Sequence, residues 1–331
     1  MRLALLACFA LAAGAAVAHA VEWRAQKIVV PAQVVGIDTV DGETRVNAGK
    51  LWYRLDLTSP QVKLVFVDNP RGATLPHNAL PDGRVVSGAQ DIVRAWLADP
   101  TTRYDHGILG DKIEAASLVV EARNGARHVV HLGDDAVFED LEPRLADLDG
   151  DGHDEIVLVK TYVKRGSSLA VVAERNGKYE IVAETPPLGA PHRWLNPAGI
   201  ADFKGDGKKV IALVRQPHVV GSLELWSWNN RQLRKVAELP DTANHIAGTR
   251  ALNMAAVADF DGDGIADLAV PSLDRTRLRI IGFADSTHEI ASIPLPSKAA
   301  TNIGLFATDL GAPALAVGLA DGSLVLIRRA Q

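Results

Sequence analysis

Two nine-residue stretches constrain this chain most: Asp147-Leu-Asp-Gly-Asp-Gly-His-Asp-Glu155 and Asp259-Phe-Asp-Gly-Asp-Gly-Ile-Ala-Asp267. Each sets carboxylates at loop positions 1, 3, 5 and 9, with glycines at 4 and 6. Hard divalent cations such as Ca²⁺ take six to eight oxygens at about 2.3–2.6 Å, which a tightly curled loop of this kind supplies. The first candidate set is Asp147, Asp149, Asp151 and Glu155 with the backbone carbonyl of His153. The second is Asp259, Asp261, Asp263 and Asp267 with the carbonyl of Ile265. An EF-hand would need Glu at position 12 and a helix after it. Position 12 here is Leu158 or Val270, inside short apolar runs that read as buried strands. The metal loops are therefore expected between strands.

A repeat surrounds them. A third copy, Asp202-Phe-Lys-Gly-Asp-Gly-Lys-Lys-Val210, has lost the ligands at positions 3 and 9 and is expected to hold no metal. A fourth, around Asp309, keeps the strands and drops the loop. First-position aspartates at 147, 202, 259 and 309 are spaced by 55, 57 and 50 residues. A second marker keeps the same phase: Ser117-Leu118, Ser168-Leu169, Ser222-Leu223, Arg277-Leu278 and Ser323-Leu324 each open an apolar strand. Hairpin turns are expected at Asn124-Gly125, Asn176-Gly177 and Asn229-Asn230, since Asn-Gly suits two-residue turns with positive φ. Each repeat holds four strands, and a four-stranded unit recurring at this period is a propeller blade. Small residues in the first strands, as in Pro197–Ala201 and Ala255–Ala258, suit strands crowded around a central axis.

The chain resembles the FG-GAP/VCBS repeat family, the integrin-α-type β-propeller with calcium-binding D-x-D-G-D-G loops. The likeness rests on 147–155 and 259–267 with their flanking strands, and more weakly on 202–210 and 309–317. It implies an all-β propeller with calcium as cofactor. It says little about function, because the family spans adhesion receptors, lectins, lyases and uncharacterised secreted proteins.

Six blades are expected, with five or seven as alternatives. The repeats are clear over 141–331 and divergent over 21–140, all in one propeller domain spanning 21–331. In the divergent part, segments 33–38, 43–47, 50–56 and 61–67 make a blade. Asp91–Leu97 reads as a second strand or a short helix, and Lys27–Val30 as the strand that closes the last blade. Residues 1–20 read as a secretory signal peptide, with one Arg, an apolar centre and Ala18-His-Ala20 at its end. This implies a periplasmic or secreted protein. The single cysteine, Cys8, lies in that segment, so no disulfide is expected. The whole chain carries 35 Lys and Arg against 40 Asp and Glu, a net charge of −5; without Arg2 the balance is −6, which argues against nucleic acid. No later stretch has the roughly 20 apolar residues that span a bilayer, and a monomer is expected.

Strand order places the metal loops on one face and the blade-to-blade connections on the other. The second face gathers cations: Arg103, Tyr104 and His106 in the long loop after Asp91–Leu97, Arg193 with Asn196, Arg250 with Asn253, and His218. These are the candidate ligand-binding residues, and they point to an anion-binding funnel. The ligand class is an acidic glycan or a protein partner. The plainer reading of Arg193/Asn196 and Arg250/Asn253 is that they stitch blades together. No G-x-S-x-G, Walker, dinucleotide or H-E-x-x-H motif occurs, so a binding module is favoured and no catalytic residue is assigned. The alternative is a polysaccharide lyase or hydrolase using Tyr104, His106, His218 and the funnel arginines.

Overall fold

The structure is a computed structural model that describes residues 22–330 apart from 41, 59–60, 70–73 and 309–311. The expected signal peptide and Asp309 lie outside the described residues. Every regular element among the described residues is a strand, and no helix is long and apolar enough to cross a membrane.

Strand β1 (Trp23–Ile28) stands first, and most of the rest fall into antiparallel meanders of four. The first is β2 (Val34–Val40), β3 (Glu43–Ala48), β4 (Leu51–Asp56) and β5 (Lys63–Val67), close to the expected segments. The second is β6 (Val86–Ser87), β7 (Ile92–Thr101), β8 (Glu114–Ala122) and β9 (Arg127–His131). Asp91–Leu97 thus resolves as strand: β7 buries Ala95, Trp96, Leu97 and Ala98 and pairs along almost its whole length with β8. A short strand that the repeat gave no hint of, β10 (Ala136–Phe138), joins β8 to the third meander. That meander is β11 (Arg144–Ala146), β12 (Glu155–Tyr162), β13 (Gly166–Arg175) and β14 (Lys178–Glu184).

The fourth follows as β15 (Leu195–Ala201), β16 (Val210–Arg215), β17 (Ser222–Asn229) and β18 (Gln232–Leu239), and the fifth as β19 (Ala256–Ala258), β20 (Asp267–Pro271), β21 (Arg277–Gly282) and β22 (His288–Pro294). The last is β23 (Ala299–Phe306), β24 (Ala314–Leu319) and β25 (Leu324–Arg329), completed by β1. β1 pairs antiparallel with β25 from Trp23↔Arg329 to Ile28↔Leu324, so the first strand of the chain closes the last sheet. The expected closing segment began at Lys27; the strand begins at Trp23, because Trp23 and Ile28 are its two buried side chains.

In the third through last meanders the second strands are the most apolar, as continuous runs require when both faces are covered. β20 and β24 are buried at every position. First strands line two adjoining cavities. One, of about 270 Å³, is bounded by Ile37, Ala198, Asn253, Val257 and Ile303 among others. The other, of about 380 Å³, is bounded by Val86, Glu142, Arg144, Ala198, Gly199 and Asn253 among others. Residues from β2, β6, β11, β15, β19 and β23 thus face common space. Gly199 is needed there: a Cβ at this position would run into Val257 Cγ2 of the neighbouring first strand.

The turns differ in part from expectation. Asn176 and Gly177 have φ of 53° and 79°, as a two-residue turn of this kind needs. At Asn229 the turn sits one residue later, on Asn230 and Arg231 (φ 49° and 58°), because Asn229 still pairs with Gln232. At Asn124-Gly125 only the glycine has positive φ, in a longer connection.

Candidate functional site

Both intact aspartate loops lie where expected, between β11 and β12 and between β19 and β20. In the first, ligand oxygens of Asp147, Asp149 and Asp151 come within 4.8 Å of one another; in the second, those of Asp259, Asp261 and Asp267 do. Glu155 and Asp263 lie outside these groupings. Glu155 Oε2 accepts the Leu148 N–H at 2.8 Å, and Asp263 Oδ1 accepts that of Ile265 at 2.7 Å. Asp147 takes the N–H groups of Gly150, Asp151 and Gly152, and Asp259 those of Gly262 and Gly264. The loops therefore curl around their first aspartate. His153 donates its N–H to Asp151, and its ring lies 3.3 Å from Asp91.

Burial, with the Asp149, Asp151 and Asp147 charges, pushes Glu155 up to about 7. Burial, with Asp261 and Asp263, pushes Asp267 up to about 6. The donor set is all oxygen and over-charged, which suits a hard dication. In the third copy Asp202 makes the same turn, accepting from Lys204, Asp206 and Gly207, but only two carboxylates are present and they form no such grouping. The intact loops also join meanders. Asp154 accepts from Gln90 and donates its N–H to Asp91 before β7, and Arg329 of β25 donates to the Asp261 carbonyl.

The cationic candidates are placed differently from the funnel expectation. Arg250 is held between Asp82 (2.9 Å) and Asp111 (3.2 Å), so its guanidinium is already neutralised. Arg103 donates to the Gly133 carbonyl and lies 3.3 Å from Asp134. Arg193 is exposed and donates to the Leu188 carbonyl. Asn196 is fully buried, where its amide donates to the Asn244 and Leu252 carbonyls; Asn244 answers with bonds to Asn196 and Pro197. Asn196 is a stitch between meanders and out of reach of any ligand. Asn253 is exposed, bonds Glu142, and lines both inner cavities.

The rings do converge. Tyr104, buried, accepts the His192 N–H at 2.7 Å and lies 5.9 Å from the His106 ring. His106 stacks on His192 at 5.0 Å and 23°. Its Nδ1 is 2.6 Å from Glu139 Oε1, a carboxylate with no solvent exposure that also accepts from Thr161 and Ser167. Trp194 donates its indole N–H to the Glu139 carbonyl, and lies 4.7 Å from the His245 ring and parallel to His218. His245 and His218 are in turn 3.1 Å apart through Nδ1 and Nε2. Desolvation, with the charges of His106 and Arg275, lowers His218 to about 4, and deeper burial lowers His245 to about 3. These side chains come from the β7–β8, β10–β11 and β16–β17 loops and from the connections before β15 and β19. Tyr104, His106 and His218 were legible as candidates. His192 and Trp194 flank the candidate Arg193 without being candidates themselves, and His245 and Glu139 carried no signal, because their partners lie far off in the chain.

A buried acid adjoins them. Glu114, 1% exposed with an unpartnered Oε2, is pushed up to about 10 by burial and by Glu139, Asp111, Asp82 and Asp140. A carboxyl whose folded value exceeds its unfolded one costs stability as pH rises from about 4.5, because the unfolded chain releases the proton first. Glu114→Gln is therefore expected to stabilise the protein by about 1–3 kcal/mol at pH 8 and by little at pH 4. Denaturant melts at the two pH values measure the difference; a variant less stable than the parent at pH 8 would mean that the ionised form has a partner.

No protein-family model matches the chain, and no curated protein is similar to it. Solved structures similar in chain path include a BBS1N–ARL6DN complex, at 12% identity and TM-score 0.39 over 90% of this chain and 78% of that one. They also include the exotype rhamnogalacturonan lyase YesX, at 14% identity and TM-score 0.41 over 83% of this chain and 53% of that one. The Bacillus licheniformis rhamnogalacturonan lyase PL11 matches at 14% identity and TM-score 0.43 over 83% of this chain and 56% of its own. The chain thus spans little more than half the length of either lyase.

Proposed function

We propose that this protein is a periplasmic or secreted six-bladed β-propeller, clipped by two Ca²⁺ ions, that binds an anionic ligand on the face opposite the aspartate loops. Six four-stranded meanders whose first strands face common cavities, the last one closed by β1, support the ring. Asp147, Asp149 and Asp151, and Asp259, Asp261 and Asp267, would hold the ions, with Glu155 and Asp263 close by in the same loops. The ions would supply charge neutralisation and cross-linking in a chain without disulfides.

The observation that carries the binding reading is the convergence of His106, His192 and His218 from separate loops onto a scaffold of buried Tyr104 and Trp194. Imidazoles and the nearby Arg275, whose charge reaches His218, replace the arginine funnel as the anion-facing groups. Acidic oligosaccharides titrated into the calcium-loaded mature protein are expected to bind more tightly as salt is lowered. His192→Ala should weaken binding about tenfold, while Arg250→Ala should leave affinity in the folded fraction unchanged. Affinity lost only in Arg250→Ala would restore the arginine funnel and sink this reading.

The short His106–Glu139 contact supports a second reading, catalysis, since a buried carboxylate orients an imidazole whose other nitrogen is left for substrate. Appearance of an unsaturated product from an acidic polysaccharide, abolished by His106→Ala, would decide for it.

A further inference from the structure

We propose that His218 and His245 form an open site for a transition-metal ion of borderline softness, such as Zn²⁺, Ni²⁺ or Cu²⁺, separate from the calcium loops. His218 Nε2 and His245 Nδ1 are 3.1 Å apart. Two imidazole nitrogens each about 2.0–2.1 Å from one ion, at tetrahedral or right angles, lie roughly 2.9–3.4 Å from each other. The pair already has the spacing that shared coordination requires.

The tautomers suit it too. His245 Nε2 lies 2.9 Å from the Thr249 carbonyl, which keeps the proton on Nε2 and leaves the Nδ1 lone pair facing His218. A carbonyl behind the ring is the usual support of a metal-bound imidazole. Trp194 packs against both rings and limits their rotation, so little ordering remains to be done on binding. His245 is 1% exposed, and among the described residues its Nδ1 has no partner but His218, an exposed residue of the β16–β17 loop on whose side an ion would enter. Burial also keeps both rings neutral across the physiological range, which is the ligating form. Among the described residues no third His, Cys, Asp or Glu atom lies within 4.8 Å of both nitrogens. Water completes the shell, and those positions exchange.

Zn²⁺ titrated calorimetrically into the mature protein, with Ca²⁺ in excess to fill the aspartate loops and no other ligand present, is the test. One equivalent is expected, with affinity falling at least about tenfold in His218→Ala and unchanged in the exposed His288→Ala. His218 is exposed, so its variant keeps the fold; His245→Gln is the second variant, checked by circular dichroism. Cu²⁺ should bind more tightly than Zn²⁺ and show two equatorial nitrogens by electron paramagnetic resonance. Absence of saturable binding, or binding that His218→Ala leaves intact, overturns the site and leaves the pair as an imidazole–imidazole hydrogen bond. Failure of the acidic-ligand titration does not bear on it.

Discussion

Chelating calcium from the mature protein is expected to lower its melting temperature by on the order of 8 °C. Binding to the native state alone contributes RT ln(1 + [Ca]/Kd), about 2.7 kcal/mol per site at a hundredfold excess. Two sites give roughly 5 kcal/mol, and a chain of about 300 ordered residues unfolds with an entropy near 0.65 kcal/mol per degree. The loss should exceed what two floppy surface loops would cause, because each loop ties one meander to another. Asp154 bonds Gln90 and Asp91, and Arg329 bonds the second loop. Metal analysis should return two equivalents, since 202–210 offers only Asp202 and Asp206. Asp261→Ala should remove one equivalent and leave binding on the histidine face unchanged. Zero or three equivalents, or a melting curve indifferent to chelator, would end the clip reading.

Unseating the closing strand should do still more harm. Trp23→Ala is expected to cost about 3–5 kcal/mol and Ile28→Ala about 2–5. Trp23 is 8% exposed and meets Phe260 edge-to-face at 5.9 Å, in the core shared by the fifth and last meanders. Ile28 packs in the core between the last meander and the first. The two stand at opposite ends of a six-residue strand, so their effects should nearly add. Their sum approaches the whole stability of an ordinary domain, about 5–15 kcal/mol, and the double variant should not fold. Gln26→Ala, an exposed position of the same strand, is the control and should stay within about 0.5 kcal/mol of the parent. A double variant that melts like the control would show that β1 is not needed to close the sheet.

Periodicity carried the strands and the carboxylate loops, because both are local. A strand needs a run of apolar or alternating side chains, and a carboxylate loop needs its ligands within nine residues; each signal survives without knowing what lies beside it. Thus β17 and β21 open at Ser222 and Arg277, two of the markers expected to open strands, and Asp147 and Asp259 head the loops expected of them. The fate of charges and rings was not local. Arg250 looked free because its neutralising partners, Asp82 and Asp111, lie about 140 or more residues earlier in the chain. Asn196 looked like a ligand residue until Asn244 and Leu252 closed over it. His106, His192 and His218 share no repeat position, and they meet only because consecutive meanders bring their loops to one face. The sequence by itself determined what each meander is made of. Only the packing of one meander on the next decided which polar groups satisfy each other and which remain for a ligand, because burial and pairing depend on neighbours that lie from about 20 to more than 100 residues apart in the chain.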